Sequence, residues 1–167
     1  MGRKDTGKNF ENEIRRSLKG SKHIWWFRIQ DTNDINRFVK IAVAEKQPAD
    51  FFSVYRGRPI MLEAKTSRNL TSFPLYYAST PAIAKHQISA GVKLERMGGI
   101  SLILIRREEF RNKKCYAISA QQAKDLYSNK DNKKSIKWSW FEENAYIVER
   151  LKAPLRWNLH KLYEQII

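Results

Sequence analysis

Apolar positions along this chain follow two different periods. Phe10, Ile14 and Leu18 recur every four residues with Gly20 close behind, which predicts a short amphipathic helix with a glycine stop. From His23 to Gln30 the pattern becomes aromatic and β-branched, His-Ile-Trp-Trp-Phe-Arg-Ile-Gln, and predicts a strand. Two more short apolar runs, 50–55 and 59–65, flank Arg56-Gly57-Arg58, which reads as a hairpin loop with glycine where unusual dihedrals are needed. The polar stretch 31–47, mixed at its centre around Phe38-Val-Lys-Ile-Ala, reads as a loop or a protruding arm.

The second half continues in the same manner. Thr80-Pro81 reads as a cap followed by proline at the first helical position, opening a helix that runs to about Met97 and stops at Gly98-Gly99. Residues 100–105, Ile-Ser-Leu-Ile-Leu-Ile, predict a strand buried on both faces. Residues 114–118 predict another, and Ser119-Ala-Gln-Gln122 has the spacing of a capping box that opens a third helix. Residues 129–137 read as a polar, basic loop. Leu155, Leu159, Leu162 and Ile166 return to helical spacing. The order α-β-β-β-α-β-β-α-α predicts an α/β fold: one mixed β-sheet flanked by helices, in a single domain over residues 1–167.

Charge changes the picture. Thirty-two Lys and Arg face 17 Asp and Glu, a net charge of +15. A pI near 10.0 points to a polyanion, nucleic acid above all. No basic amphipathic helix with a clean aromatic face favours a membrane surface, and no run approaches the ~18 apolar residues of a membrane span. The N-terminus lacks the apolar stretch of a signal peptide. The single cysteine, Cys115, falls inside an apolar strand and is expected to be buried and inert, which suits a reducing cytoplasm. His23, His86 and His160 are scattered, with no Cys/His cluster for zinc. Trp25, Trp26, Trp138, Trp140 and Trp157 are expected in the core rather than as base-stacking platforms, because no alternation of exposed aromatics with arginine stands out.

Chemistry concentrates on the hairpin. Folding 50–55 back on 59–65 brings Asp50 near the strand that carries Glu63-Ala64-Lys65. Residues two apart in a strand share a face, so Glu63 and Lys65 point together while Ala64 points away. Two carboxylates can hold a divalent cation through hard oxygen ligands, and a lysine beside it can orient water or stabilise phosphoryl charge. An exposed ion-pair strand is the plain alternative. Glu11 is either a third acid at this site or a surface residue in the first turn of its helix. Gln87 falls within the apolar arc of Ile83, Ala84, Ile88, Ala90 and Leu94; it either satisfies nearby backbone or reaches into the site. Thr66, Ser67 and Arg68 are candidate phosphate contacts or simple turn residues. Arg3, Lys4 and Lys8 form a basic N-terminal arm, and Arg37, Lys40 and Lys85 are further candidate DNA contacts.

The motifs Gly7-Lys-Asn-Phe10-Glu11, Pro48-Ala-Asp50, Tyr55-Arg-Gly57-Arg, Glu63-Ala64-Lys65, Phe73-Pro74-Leu75, His86-Gln87 and Gly98-Gly99-Ile100, taken in this order, resemble the RecU-type Holliday junction resolvases. That family shares with archaeal and phage resolvases the PD-(D/E)xK, restriction-endonuclease-like core. The family often has Thr before the Asp, where this chain has Pro48-Ala49. The resemblance implies a cytoplasmic, metal-dependent homodimer that cuts four-way DNA junctions by symmetric paired nicks during recombination and repair. It implies that Asp50 and Glu63 hold Mg2+, with Mn2+ as a substitute, helped by Glu11 and the Ala64 carbonyl. It further implies that Lys65 and Gln87 position water and the scissile phosphate, and that 31–47 corresponds to a stalk entering the junction. A restriction or nicking enzyme on the same core and a non-catalytic junction-binding accessory protein are the competing readings.

Overall fold

A computed structural model describes residues 6–29, 46–109, 113–129, 134–152 and 157–167. The N-terminal helix α1 (Thr6–Gly20) is followed by β1 (Trp25–Arg28), β2 (Phe51–Tyr55) and β3 (Arg58–Ser67). Three short strands come next, β4 (Ser72–Pro74), β5 (Tyr76–Tyr77) and β6 (Thr80–Pro81), and lead into α2 (Lys85–Arg96). The chain then forms β7 (Ile100–Arg107), β8 (Lys114–Ser119), α3 (Ala120–Ser128), β9 (Ser135–Lys137), α4 (Trp138–Asn144), β10 (Tyr146–Val148) and α5 (Leu159–Ile166). The main sheet has the order β1-β2-β3-β7-β8-β10. Its β3–β7 pair is parallel and the other pairs are antiparallel. A parallel pair needs a crossover, and α2 lies within it. Among the described residues no helix is long and apolar enough to cross a membrane.

Strand alternation divides the core in two. On one face Phe51, Tyr55, Ile60, Leu62, Leu102 and Leu104 pack against Phe10, Ile14 and Leu18 of α1 and against α5. On the other, Ile103, Ile105, Tyr116 and Ile118 pack against Ile88 and Val92 of α2 and against α3 and α4. β7 contributes to both cores, which explains its nearly unbroken apolar run. The hairpin β2–β3 turns on two residues, with Tyr55 paired to Arg58. Arg56 (φ 48°) and Gly57 (φ 77°) both have positive φ, as the turn type matched to strand twist demands.

Four expectations are corrected. The second helix begins at Lys85, because Thr80-Pro81 pairs with Tyr76-Tyr77 as a small hairpin. Residues 129–137 are not all loop: Ser135–Lys137 pairs with Ser72–Pro74, anchored by buried Ile136 against Phe73. Trp138–Asn144 and Tyr146–Val148 add a helix and an edge strand. Trp25 is 62% exposed and Phe27 44% exposed on the outer strand, so the tryptophans are not uniformly core, although Trp138 and Trp157 are. Cys115 is buried, and burial holds its thiol far above its ordinary pKa. Of 31–47, residues 31–45 lie outside the described residues.

Gly91 is where α2 meets the sheet most closely. A Cβ there would stand 2.5 Å from Ala120 Cβ and closer still to Ser101 Oγ. Gly91→Ala should therefore cost about 1–3 kcal/mol despite the better helix propensity of alanine, because both neighbours sit in packed elements. Urea unfolding of the two proteins measures this; a stabilised variant would show that α2 can lift away freely.

Candidate active site

Asp50 stands where β2 begins. Its backbone N–H donates to Leu62 O (3.1 Å) and its carbonyl accepts from Ile29 N–H (2.9 Å). The ladder between β2 and β3 ends at Phe51–Leu62, so β3 runs on without a partner on that side. The Asp50 side chain takes the next donor: Ala64 N–H bonds to Asp50 Oδ2 at 2.8 Å. One main-chain requirement thus fixes the carboxylate against β3.

Glu63 and Lys65 project from β3 on the α2 face, as their spacing predicts, and Lys65 Nζ lies 2.7 Å from Glu63 Oε1. Glu63 is only 5% exposed. Its second oxygen, Oε2, is buried and has no hydrogen-bond partner. Burial raises the Glu63 pKa against the opposing pull of Lys65. Asp50 is pushed up from 3.8 to about 6, by burial first and by the charge of Glu63 second.

The N-terminal end of α2 closes the site. Gln87 does two things at once. Its Oε1 accepts the Ala84 N–H at 3.1 Å, serving as the return half of a helix cap, and its amide lies near enough to Glu63 to favour the ionised carboxylate. His86 Nε2 bonds with Gln47 O at 3.1 Å, while Gln47 Nε2 donates to Ile29 O and Ala49 O. His86 and Gln47 therefore tie α2, β1 and the approach to Asp50 into one frame.

Glu11 lies close enough to this group to act on Glu63, and its carboxylate is paired. α1 packs on the sheet face opposite to Glu63 and Lys65. Glu11 Oε2 pairs with Arg28 Nη2 at 2.7 Å. Its charge still raises Glu63, as the weakest of the resolved influences. Among the described residues no three Asp, Glu, His or Cys side chains are grouped to hold a metal ion. Arg28 was not singled out in the sequence. It shares the alternation of Trp26, which faces α1, and that was the available signal.

Of the candidate DNA contacts, Lys8, Arg68 and Lys85 are exposed and Thr66 is partly buried. Thr66 follows Lys65 directly on β3 and so projects from the opposite face. Arg3, Lys4, Arg37 and Lys40 lie outside the described residues.

The donor set suits a divalent cation. Glu63 Oε2 is an orphaned buried oxygen, and Asp50 Oδ1 makes no hydrogen bond among the described residues. Burial raises both carboxylates, and the charge of Glu63 raises Asp50 further, which is the arrangement a cation relieves.

Comparison with known proteins adds a lineage. The family model for RecU, recombination protein U, matches residues 7–163. The chain is 35% identical over 111 residues to the Holliday junction resolvase RecU of Shouchella clausii, covering 66% of this chain and 47% of that protein. It is 33% identical over 108 residues to the RecU resolvase of Pediococcus pentosaceus, covering 64% and 50% respectively. The chain thus spans about half the length of these curated relatives. Among solved structures it resembles Archaeoglobus fulgidus Hjc, a Holliday junction resolvase from an archaeal hyperthermophile, with a TM-score of 0.52 and 14% identity over 84% of this chain and 95% of that one.

Proposed function

The chain belongs to the RecU family, and from that premise we propose that it is a metal-dependent endonuclease that resolves four-way DNA junctions by paired nicks. The observation that carries this reading is the Asp50–Glu63 pair, with a buried, unpartnered oxygen on Glu63 and Lys65 at 2.7 Å. A carboxylate pair held at such electrostatic expense serves no purpose in simple DNA binding by a protein of charge +15.

Asp50 and Glu63, with the Ala64 carbonyl adjoining, are the groups that would hold Mg2+ or Mn2+. Such a cation would polarise a phosphoryl oxygen and acidify a bound water. Lys65 places an ammonium beside Glu63, able to neutralise charge building on the phosphate. Gln87 offers an amide to the same pocket and, through its cap bond, cannot turn far from it. Glu11 acts through Arg28, holding β1 beside Asp50.

The fold supports junction rather than base recognition in one respect. Its charge of +15 comes from Lys and Arg, whose contacts to phosphates position DNA without reading its sequence. A homodimer would present two such sites to the two-fold symmetry of a junction. The test is nicking of a synthetic four-way junction against linear duplex of the same sequence, in Mg2+ and in EDTA. Paired, Mg2+-dependent nicks in the junction alone are expected, with binding that falls by about 0.9 in log K per log unit of salt for each neutralised phosphate. Equal cutting of the linear duplex would replace junction specificity with a general nuclease. Binding without cutting in any metal would leave an accessory protein.

A further inference from the structure

Away from the carboxylates, α2 and α3 enclose a cleft of about 670 Å³, a size typical of small-ligand sites. Ile83, Ile88 and Val92 make its floor apolar, and all three are buried. Tyr76 and Tyr127 wall it, meeting edge to face with centroids 5.5 Å apart. Tyr127 is fixed by its hydroxyl, which accepts from Ile83 N–H at 3.0 Å and donates to Leu75 O at 2.9 Å.

The rim carries Lys85, Lys93 and Arg96 from α2 and Lys124 from α3, all exposed. None of the four has an ion-pair partner among the described residues, where eleven other pairs form, and no acidic side chain lines the cleft. Lys85, Ser89, Lys93 and Arg96 follow one another at i, i+4, i+8 and i+11, a single stripe along the helix. At 1.5 Å per residue the stripe is about 17 Å long. The stripe starts two residues before Gln87, so it begins at the carboxylate site and leads away from it.

We propose that the α2–α3 cleft is a second polynucleotide site, which seats one unstacked nucleotide of the bound DNA with its base against Tyr76 and its flanking phosphates on Lys93, Arg96 and Lys124. The inference deepens the nuclease reading and rests on it. Phosphates alone would need only the cations, and a flat surface would serve them. The apolar floor and the two rings call for a flat, weakly polar partner as well, and a base is the part of a polynucleotide that has both properties. Unpaired nucleotides are what a branched or frayed DNA offers and an intact duplex withholds.

The test uses an Asp50→Asn background to block cutting, and anisotropy titration of fluorescein-labelled dT12 and of a blunt duplex over a salt series. Tyr76→Ala should weaken dT12 binding roughly 5- to 150-fold, the loss expected for one base–aromatic stack, and change duplex binding by less than about twofold. Tyr76→Phe, which keeps the ring, should stay within about twofold of the parent on both. Lys93→Ala with Lys124→Ala should lower the single-strand salt slope by about 1.4, or 0.7 per phosphate. Unchanged dT12 binding by Tyr76→Ala, or an equal loss on duplex, would overturn the nucleotide seat. So would displacement of dT12 by micromolar dTMP, which would identify a free-nucleotide site. A parent that binds the junction but not dT12 overturns this inference alone; one that binds neither overturns the nuclease reading with it.

Discussion

Asp50→Asn should abolish junction nicking while making the metal-free protein more stable. The loss in rate is expected to be about a thousandfold or more, because removing one of two metal-holding carboxylates forfeits several kcal/mol of transition-state stabilisation. The gain in stability follows from the same geometry. Asp50 is raised from 3.8 to about 6, by burial and by the nearby charge of Glu63. A carboxylate raised on folding favours the folded state below its unfolded pKa, near 4, and that advantage disappears as pH climbs through about 6. At pH 7.5 the ionised side chain is therefore a burden on the metal-free fold. A shift of about two units corresponds to at most about 3 kcal/mol. An asparagine removes the charge and still accepts the Ala64 N–H through its amide oxygen.

Thermal unfolding in EDTA at pH 7.5 should then place Asp50→Asn above wild type by several degrees, at about 2–4 °C per kcal/mol for a chain of this size. The difference should shrink as pH falls from about 6 through about 4 and vanish below about 3, where Asp50 is protonated in both states. Mg2+ should raise the wild-type transition and leave the variant's largely where it was, since only the wild type binds the ion tightly. A variant that melts below wild type in EDTA, or a difference that does not move with pH, would mean that the Asp50 carboxylate is not electrostatically strained.

The sequence carried these details because they are local. Asp50 meets β3 through a two-residue turn whose conformation Gly57 announces, and the parity of Glu63 and Lys65 follows from strand geometry alone. The Ser119–Gln122 capping box formed as its spacing predicts. What escaped depends on contacts far apart in the chain. Ile136 makes a strand only because Phe73 lies opposite it, sixty-odd residues earlier. Pro81 signalled a helix start, but the Tyr76–Pro81 pairing took it for a strand. The pairing of Glu11 with Arg28 spans the gap between α1 and β1, and neither residue's own neighbours in the sequence point to it. The exposure of Trp25 goes with its place on an edge strand, and composition cannot show which strand is the edge.

Arg106→Met should be the most destabilising single substitution in the sheet, at about 3–5 kcal/mol, the usual cost of stranding one member of a buried ion pair. Arg106 is 1% exposed. Its Nη1 donates to Glu13 Oε2 at 2.7 Å, its Nη2 pairs with Glu108, and its guanidinium lies 4.7 Å from the centre of the Phe10 ring. Glu13 Oε2 also accepts from Trp157 Nε1 at 3.1 Å, and Ser17 Oγ accepts from Trp157 N–H at 3.1 Å. One arginine on β7 therefore joins α1 to the sheet and, through Glu13, to the segment that leads into α5. Methionine fills similar space but leaves the buried Glu13 carboxylate, among the described residues, with Trp157 and the more distant Lys113, 3.9 Å away. Glu13→Gln keeps an acceptor for Trp157 and leaves Arg106 paired with Glu108, so it should cost less, about 1–3 kcal/mol. Combining the two removes the stranded charge, and the double variant should be more stable than the sum of the single losses by at least about 1 kcal/mol. Urea unfolding of all four proteins gives the cycle. Additive losses would mean that Arg106 and Glu13 act separately, and an Arg106→Met loss below about 1 kcal/mol would mean that α1 is held by its apolar stripe alone. If the cycle does couple, α1 should also loosen in the single variants, and Glu11, two residues from Glu13, should release Arg28 at the edge of the carboxylate site.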